Sequence, residues 1–199
     1  MKGSQFNRKT LDILQDIIFR ILLVTDGRTT DILETLLGEK LKVQVIRQEQ
    51  IGVKEAVMTG ESQGAPYYIR ESVLIGEKSG VIVSYNIALV YSKNVPPALF
   101  ESMANRQEGI GKVMNSQGIR TLREVIDFGF IEETATVDLF NRPVNINLPS
   151  NGEKFPYKKY FIYFGRKPGI QMVEYFNPAI IQHRLKQEVA YEQPHELDE

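Results

Sequence analysis

The sequence predicts an α+β fold, an antiparallel β-sheet with helices on one side. Two observations predict it. Strand-like segments outnumber helical ones, and turns of hairpin length, at Glu77-Lys-Ser-Gly80 and Gly165-Arg-Lys-Pro-Gly169, join several of them. Taken in order, Leu11, Ile13, Leu14, Ile17, Ile18, Ile21 and Leu22 recur at helical spacing, so Thr10 to Val24 reads as an amphipathic helix that Thr25-Asp-Gly27 ends. A short helix follows from Thr30 to Leu37, with Thr29 or Thr30 as its cap and Gly38 at its C-terminal stop. Leu41, Val43 and Val45 alternate with polar residues, which predicts a strand from Leu41 to Gln50. The Gly- and polar-rich residues 52–65 read as a loop.

A hairpin is expected next, with strands at Pro66–Ile75 and Val81–Tyr91, and Pro96-Pro97 opens a helix to Asn105. Gln107 to Gly111 reads as a loop and Lys112 to Ser116 as a helical turn. Ile119 to Phe130 fits helix or strand, and Val125, Ile126 and Phe128 just before Gly129 favour strand. Residues 141–156 carry three prolines and read as a long loop or flap. Tyr157–Phe164 and Ile170–Phe176 form a second hairpin. The expected organisation is one domain over residues 1–185 and a polar, mobile tail over 186–199.

Composition narrows the function classes. The chain has 199 residues, 42% hydrophobic and 25% charged, which suits one domain with a sizeable core. A net charge of −1 gives no reason to expect a nucleic-acid partner. Without Cys there is no thiolate nucleophile or iron–sulfur cluster, and both His residues, His183 and His195, lie near the C-terminal end, away from any triad. The stretch Leu11–Val24 holds Asp12, Gln15, Asp16 and Arg20, so it is no membrane span, and a cytoplasmic protein is expected. Gly76-Glu-Lys-Ser-Gly80 lacks the spacing of a phosphate loop and reads as a hairpin turn. Glu132-Glu133 reads as a solvated pair, and His195-Glu-Leu-Asp-Glu199 as an acidic end rather than a metal site.

Two charges stand out. Side chains alternate between faces along a strand, so Arg70 shares a face with Tyr68, Ser72 and Leu74, and Glu174 with Ile170, Met172 and Phe176. A charge on an apolar face is costly unless it is paired, neutralised or used. Either the two form a structural salt bridge, or they hold an anionic ligand, the Arg at its carboxylate and the Glu at its reacting end.

Three blocks carry a resemblance: Thr25-Asp-Gly-Arg-Thr-Thr-Asp-Ile-Leu-Glu34, Ile69-Arg-Glu-Ser-Val-Leu74 with the later Gly109-Ile-Gly111, and Gly165-Arg-Lys-Pro-Gly-Ile-Gln-Met-Val-Glu-Tyr-Phe-Asn-Pro178. In order and spacing they resemble the chorismate pyruvate-lyases, in particular a divergent archaeal and cyanobacterial branch, from about Leu22 to Pro178. The resemblance implies an antiparallel sheet with helical flaps over a buried ligand site. It implies conversion of chorismate to 4-hydroxybenzoate, a quinone-ring precursor, and pyruvate, with no cofactor and no metal. It assigns Arg70 to the ring carboxylate and Glu174 to the ring hydroxyl, both as catalytic residues. It places a backbone N–H of Ile110 at the carboxylate, and Thr29, beside Arg28, in a flap over the ligand. Arg28 departs from the family's small residue, and Ser84-Tyr85 replaces a Gly-Arg pair, so a second site cation is expected to be missing. A non-catalytic domain that binds an aromatic acid, like the effector domains of winged-helix regulators, is the alternative. The lack of a winged-helix segment and of a basic patch argues against a regulator.

Overall fold

The structure, a computed structural model, describes residues 8–52, 66–105, 109–149 and 152–191. Helices α1 (Arg8–Val24) and α2 (Thr29–Leu37) precede strands β1 (Leu41–Ile51), β2 (Tyr67–Gly76) and β3 (Ile82–Tyr91). Helices α3 (Pro97–Asn105) and α4 (Ile110–Ser116) lead to β4 (Leu122–Ile131), β5 (Phe155–Tyr163) and β6 (Pro168–Phe176), and α5 (Ile180–Tyr191) follows. The strands form one sheet in the order β1-β2-β3-β6-β5-β4, antiparallel at every junction. Two three-stranded meanders thus meet at β3 and β6, in the middle of the sheet. The stretch expected at Ile119–Phe130 forms a strand over Leu122–Ile131, in agreement with the choice that Val125, Ile126 and Phe128 favour.

The five α-helices of the described residues lie on one face. Phe19, Leu22, Leu23, Leu33, Leu37, Ile180 and Ile181, from α1, α2 and α5, pack on Leu41, Leu74, Val83 and Phe176. Leu99, Met103, Val113 and Met114, from α3 and α4, pack on Ala88, Val90, Ile162 and Ile170. Among the described residues no helix is long and apolar enough to cross a membrane.

One detail refines the sequence reading and three differ from it. The segment before β5, expected as a long loop or flap, is irregular chain on the face opposite the helices. Leu139, Phe140, Ile146 and Leu148 bury themselves against Tyr67, Tyr85, Ile87 and Tyr175 on the opposite face, so this irregular chain covers the back of the sheet. Ile110 and Gly111 open α4 instead of lying in a loop, because the Gly109 carbonyl accepts the Val113 N–H at 3.0 Å and starts the helix there. Gly109 also passes so close to β1 that a Cβ would lie 2.9 Å from Val43 Cγ2, which a larger residue would not permit. Thr29 lies inside α2, whose cap position is taken by Arg28 without a side-chain bond. Helix α5 carries residues 186–191, expected in the tail; Asn177 caps it, accepting the Ala179 N–H at 2.8 Å. The loop expected at 53–65, the loop residues 107 and 108, and the tail from residue 192 with its His195 cluster lie outside the described residues.

The back face also sets a pH response. The Tyr85 hydroxyl donates to Glu71 Oε2 at 2.9 Å. Burial first, then Glu71, pushes its pKa well up, while Arg47 opposes. An unfolded tyrosine ionises near pH 10. The folded chain holds that proton longer, so the contribution to stability is complete below about pH 10 and is lost as pH rises further. Tyr85→Phe is expected to flatten the fall in melting temperature above about pH 10. Superimposable melting curves for the two proteins from pH 8 to 12 would show that Tyr85 carries none of it.

Candidate active site

Between the sheet and the helices lies a cavity of about 750 Å³, within the usual range for a small-molecule site. The register sets its floor. Ser72 pairs with Asn86, Asn86 with Glu174, and Glu174 with Lys158, so β2, β3, β6 and β5 each put one polar side chain in a single row. All four are buried, none more than 9% exposed. One row over, Arg70 aligns with Ala88, Met172 and Tyr160. From ideal strand spacing and rise, the Cα atoms of Arg70 and Glu174 are roughly 12 Å apart, two strands and two positions away.

Arg70 is 3% exposed. It donates to Gln48 Oε1 at 2.5 Å and to the Met103 carbonyl at 2.9 Å. Burial lowers its pKa, yet a guanidinium starts so high that it stays charged. Glu174 is 5% exposed, and its ion pair is with the Lys158 ammonium, 3.9 Å away. Among the described residues no ion pair joins Arg70 to Glu174, so the structural salt bridge is not what the fold builds. Among the described residues Glu174 Oε2 and its neighbour Asn86 Oδ1 are buried without a hydrogen-bond partner. Two such acceptors side by side are rare, because each forgoes the bonds it had in water. Glu174 and Asn86 both line the cavity, where a ligand can supply the missing donors.

Lys158 ends this row. Its ammonium donates to Thr29 Oγ1 at 2.8 Å and, at 3.4 Å, to the carbonyls of Leu22 and Thr25. It therefore ties the α1–α2 connection down over the sheet. Burial lowers its pKa, Arg123 adds to the lowering, and Glu174 and Asp26 oppose it. The Tyr160 hydroxyl, which donates to Met172 Sδ at 3.2 Å, is held protonated by burial and by the nearby Glu174.

Arg70, Glu174, Thr29, Ile110 and Arg28 all line the one cavity. Thr29 is buried at its edge. Ile110 opens α4, so its N–H has no intrahelical acceptor. Arg28 sits exposed at the mouth, paired with Asp31. Asn86, Lys158 and Arg123 escaped the sequence reading. Asn86 was the most findable, as a buried amide in the apolar strand Ile82–Tyr91.

A family model described as chorismate pyruvate-lyase Rv2949c-like matches residues 23–184. The chorismate pyruvate-lyase of Mycobacterium leprae (strain TN) is 24% identical over 183 residues, with 85% of this chain and 79% of the relative covered. Among solved structures, the effector domain of PhnF from Mycobacterium smegmatis is similar with a TM-score of 0.48 and 15% identity, over 78% of this chain and 91% of that one. A GntR-family transcriptional regulator from Bacillus cereus is similar with a TM-score of 0.45 and 16% identity, over 69% of this chain and 92% of that one.

Proposed function

The chain belongs to the Rv2949c-like chorismate pyruvate-lyase family, and from that premise we propose that it converts chorismate to 4-hydroxybenzoate and pyruvate. The observation that carries the reading is the pair of unpartnered acceptors, Glu174 Oε2 and Asn86 Oδ1, in the same cavity as the buried Arg70. An aromatic acid with a ring hydroxyl offers a carboxylate to the guanidinium and a donor to the two acceptors.

In this reading Arg70 grips the ring carboxylate through parallel N–H bonds, and the Ile110 N–H adds a further donor. The C4 hydroxyl donates to Glu174. The C3–O bond to the enolpyruvyl group breaks as C4 loses its proton, and the ring becomes aromatic. The departing enolpyruvate takes up one proton and becomes pyruvate, so the proton count closes. Glu174, at the C3–C4 edge, is the residue placed to carry that proton. The driving force is the aromaticity of the product. Thr29, held by Lys158, closes the cavity over the ring and excludes water, and a closed site of this kind also slows product release.

Incubating the pure protein with chorismate and measuring pyruvate and the aromatic acid together tests this. Equal amounts of pyruvate and 4-hydroxybenzoate are expected. Binding of both acids without pyruvate release would leave a non-catalytic binding domain, and a different hydroxybenzoate would overturn the placement of the ring hydroxyl.

A further inference from the structure

Chorismate carries two carboxylates, and Arg70 can serve only the one on the ring. We infer that Arg123 takes the second, on the enolpyruvyl group; this rests on the proposed lyase reading and deepens it.

Among the described residues the candidates for a second cation are few. Lys158 directs its ammonium at Thr29, Leu22 and Thr25. Arg28 is exposed and paired with Asp31. Lys42 and Lys112 are exposed. Position 85 cannot supply one, because Tyr85 packs on the back face against Glu71. The second cation that the Ser84-Tyr85 pair lacks therefore comes from another strand.

Arg123 projects from the edge strand β4 into the cavity. It is fixed from two sides. Its Nη1 donates to the Gly27 carbonyl, and its guanidinium carbon lies 5.8 Å from the centre of the Tyr160 ring. Its Nη2 faces Gly111, 3.9 Å from where a Cβ would stand. Among the described residues no carboxylate pairs with it. A guanidinium has five N–H donors, so the bond to Gly27 leaves most of them for an anion. Its effect on Lys158 and Tyr160 places its charge on the Glu174 side of the cavity. Arg70 stands on β2 and Arg123 on β4, four strand-to-strand steps and two positions apart, roughly 20 Å from Cα to Cα. Both are long side chains that line the same cavity, so a ring with an anionic group at either end fits between their heads. After the reaction Arg70 keeps the aromatic acid, and Arg123 keeps the pyruvate carboxylate.

The test compares Arg123→Gln and Arg123→Lys with the wild type. Arg123→Gln is expected to raise KM for chorismate tenfold or more, because a held fork of charged donors is lost. The dissociation constant for 4-hydroxybenzoate, read by calorimetry, should change less than twofold, and melting should be unchanged. Arg123→Lys, which keeps the charge, should recover part of the chorismate KM. An equal loss of affinity for both ligands, or a lower melting temperature in both variants, would mean that Arg123 only braces Gly27 and Tyr160, and an unchanged chorismate KM would overturn the inference outright. If the wild type releases no pyruvate, the lyase reading fails by itself. Calorimetry with chorismate and 4-hydroxybenzoate still decides about Arg123: loss of chorismate binding alone supports it, and failure of the wild type to bind chorismate rejects it.

Discussion

Glu174→Gln should slow pyruvate release by roughly 10²–10⁴-fold, the range for a lost general acid or base. The amide is nearly isosteric with the carboxylate and still accepts a hydrogen bond from a ring hydroxyl, so 4-hydroxybenzoate affinity should fall far less than turnover. What the amide cannot do is exchange a proton at neutral pH. The competing explanation is that Glu174 serves only to balance Lys158, 3.9 Å away. In that case the substitution leaves a buried ammonium without its counter-charge, and the main symptom is lost stability of about 3–5 kcal/mol. Turnover, product affinity and melting on the one mutant separate these outcomes. A variant that melts normally and turns chorismate over at the wild-type rate would remove Glu174 from the mechanism.

Arg70→Gln should weaken 4-hydroxybenzoate binding by about 2–5 kcal/mol, because it strips the charge from one partner of a buried ion pair. At 1.4 kcal/mol per factor of ten, that is a loss of roughly thirtyfold to several thousandfold. Arg70→Lys keeps the charge but gives up the planar fork, and should lose about 1–3 kcal/mol. The order wild type, Lys, Gln is the informative result. Some cost will also appear in the free protein, since Gln48 Oε1 and the Met103 carbonyl both accept from Arg70. Calorimetric affinities that do not change in either variant would show that the carboxylate binds elsewhere.

The strands and the two central charges were legible because strand alternation is a local property. Arg70 and Glu174 each break an apolar face, and a charge there announces itself in any reading of the chain. Asn86 breaks β3 in the same way, but an amide carries no charge and draws less notice. Lys158 was masked by Lys159. Adjacent residues on a strand face opposite ways, and only the fold tells which of the two is buried. Arg123 was hidden differently: β4 is an edge strand with polar residues on both faces, so one more charge in Leu-Arg-Glu-Val-Ile-Asp-Phe has no contrast. The face that the segment before β5 covers was not legible, because Leu139, Phe140, Ile146 and Leu148 follow no regular period. Their destination depends on which face the five helices leave open, a long-range fact. Helix α5 had a local signal in Asn177-Pro178, but its weakly amphipathic sequence looked like a tail.

The central claim is that Arg70 and Glu174 hold opposite ends of one aromatic ring. A crystal structure of the protein with 4-hydroxybenzoate tests it most directly. The carboxylate is expected within hydrogen-bond distance of the Arg70 guanidinium, and the ring hydroxyl on Glu174 Oε2 beside Asn86 Oδ1. A ring bound the other way round, or outside this cavity with both acceptors still unpartnered, would contradict it.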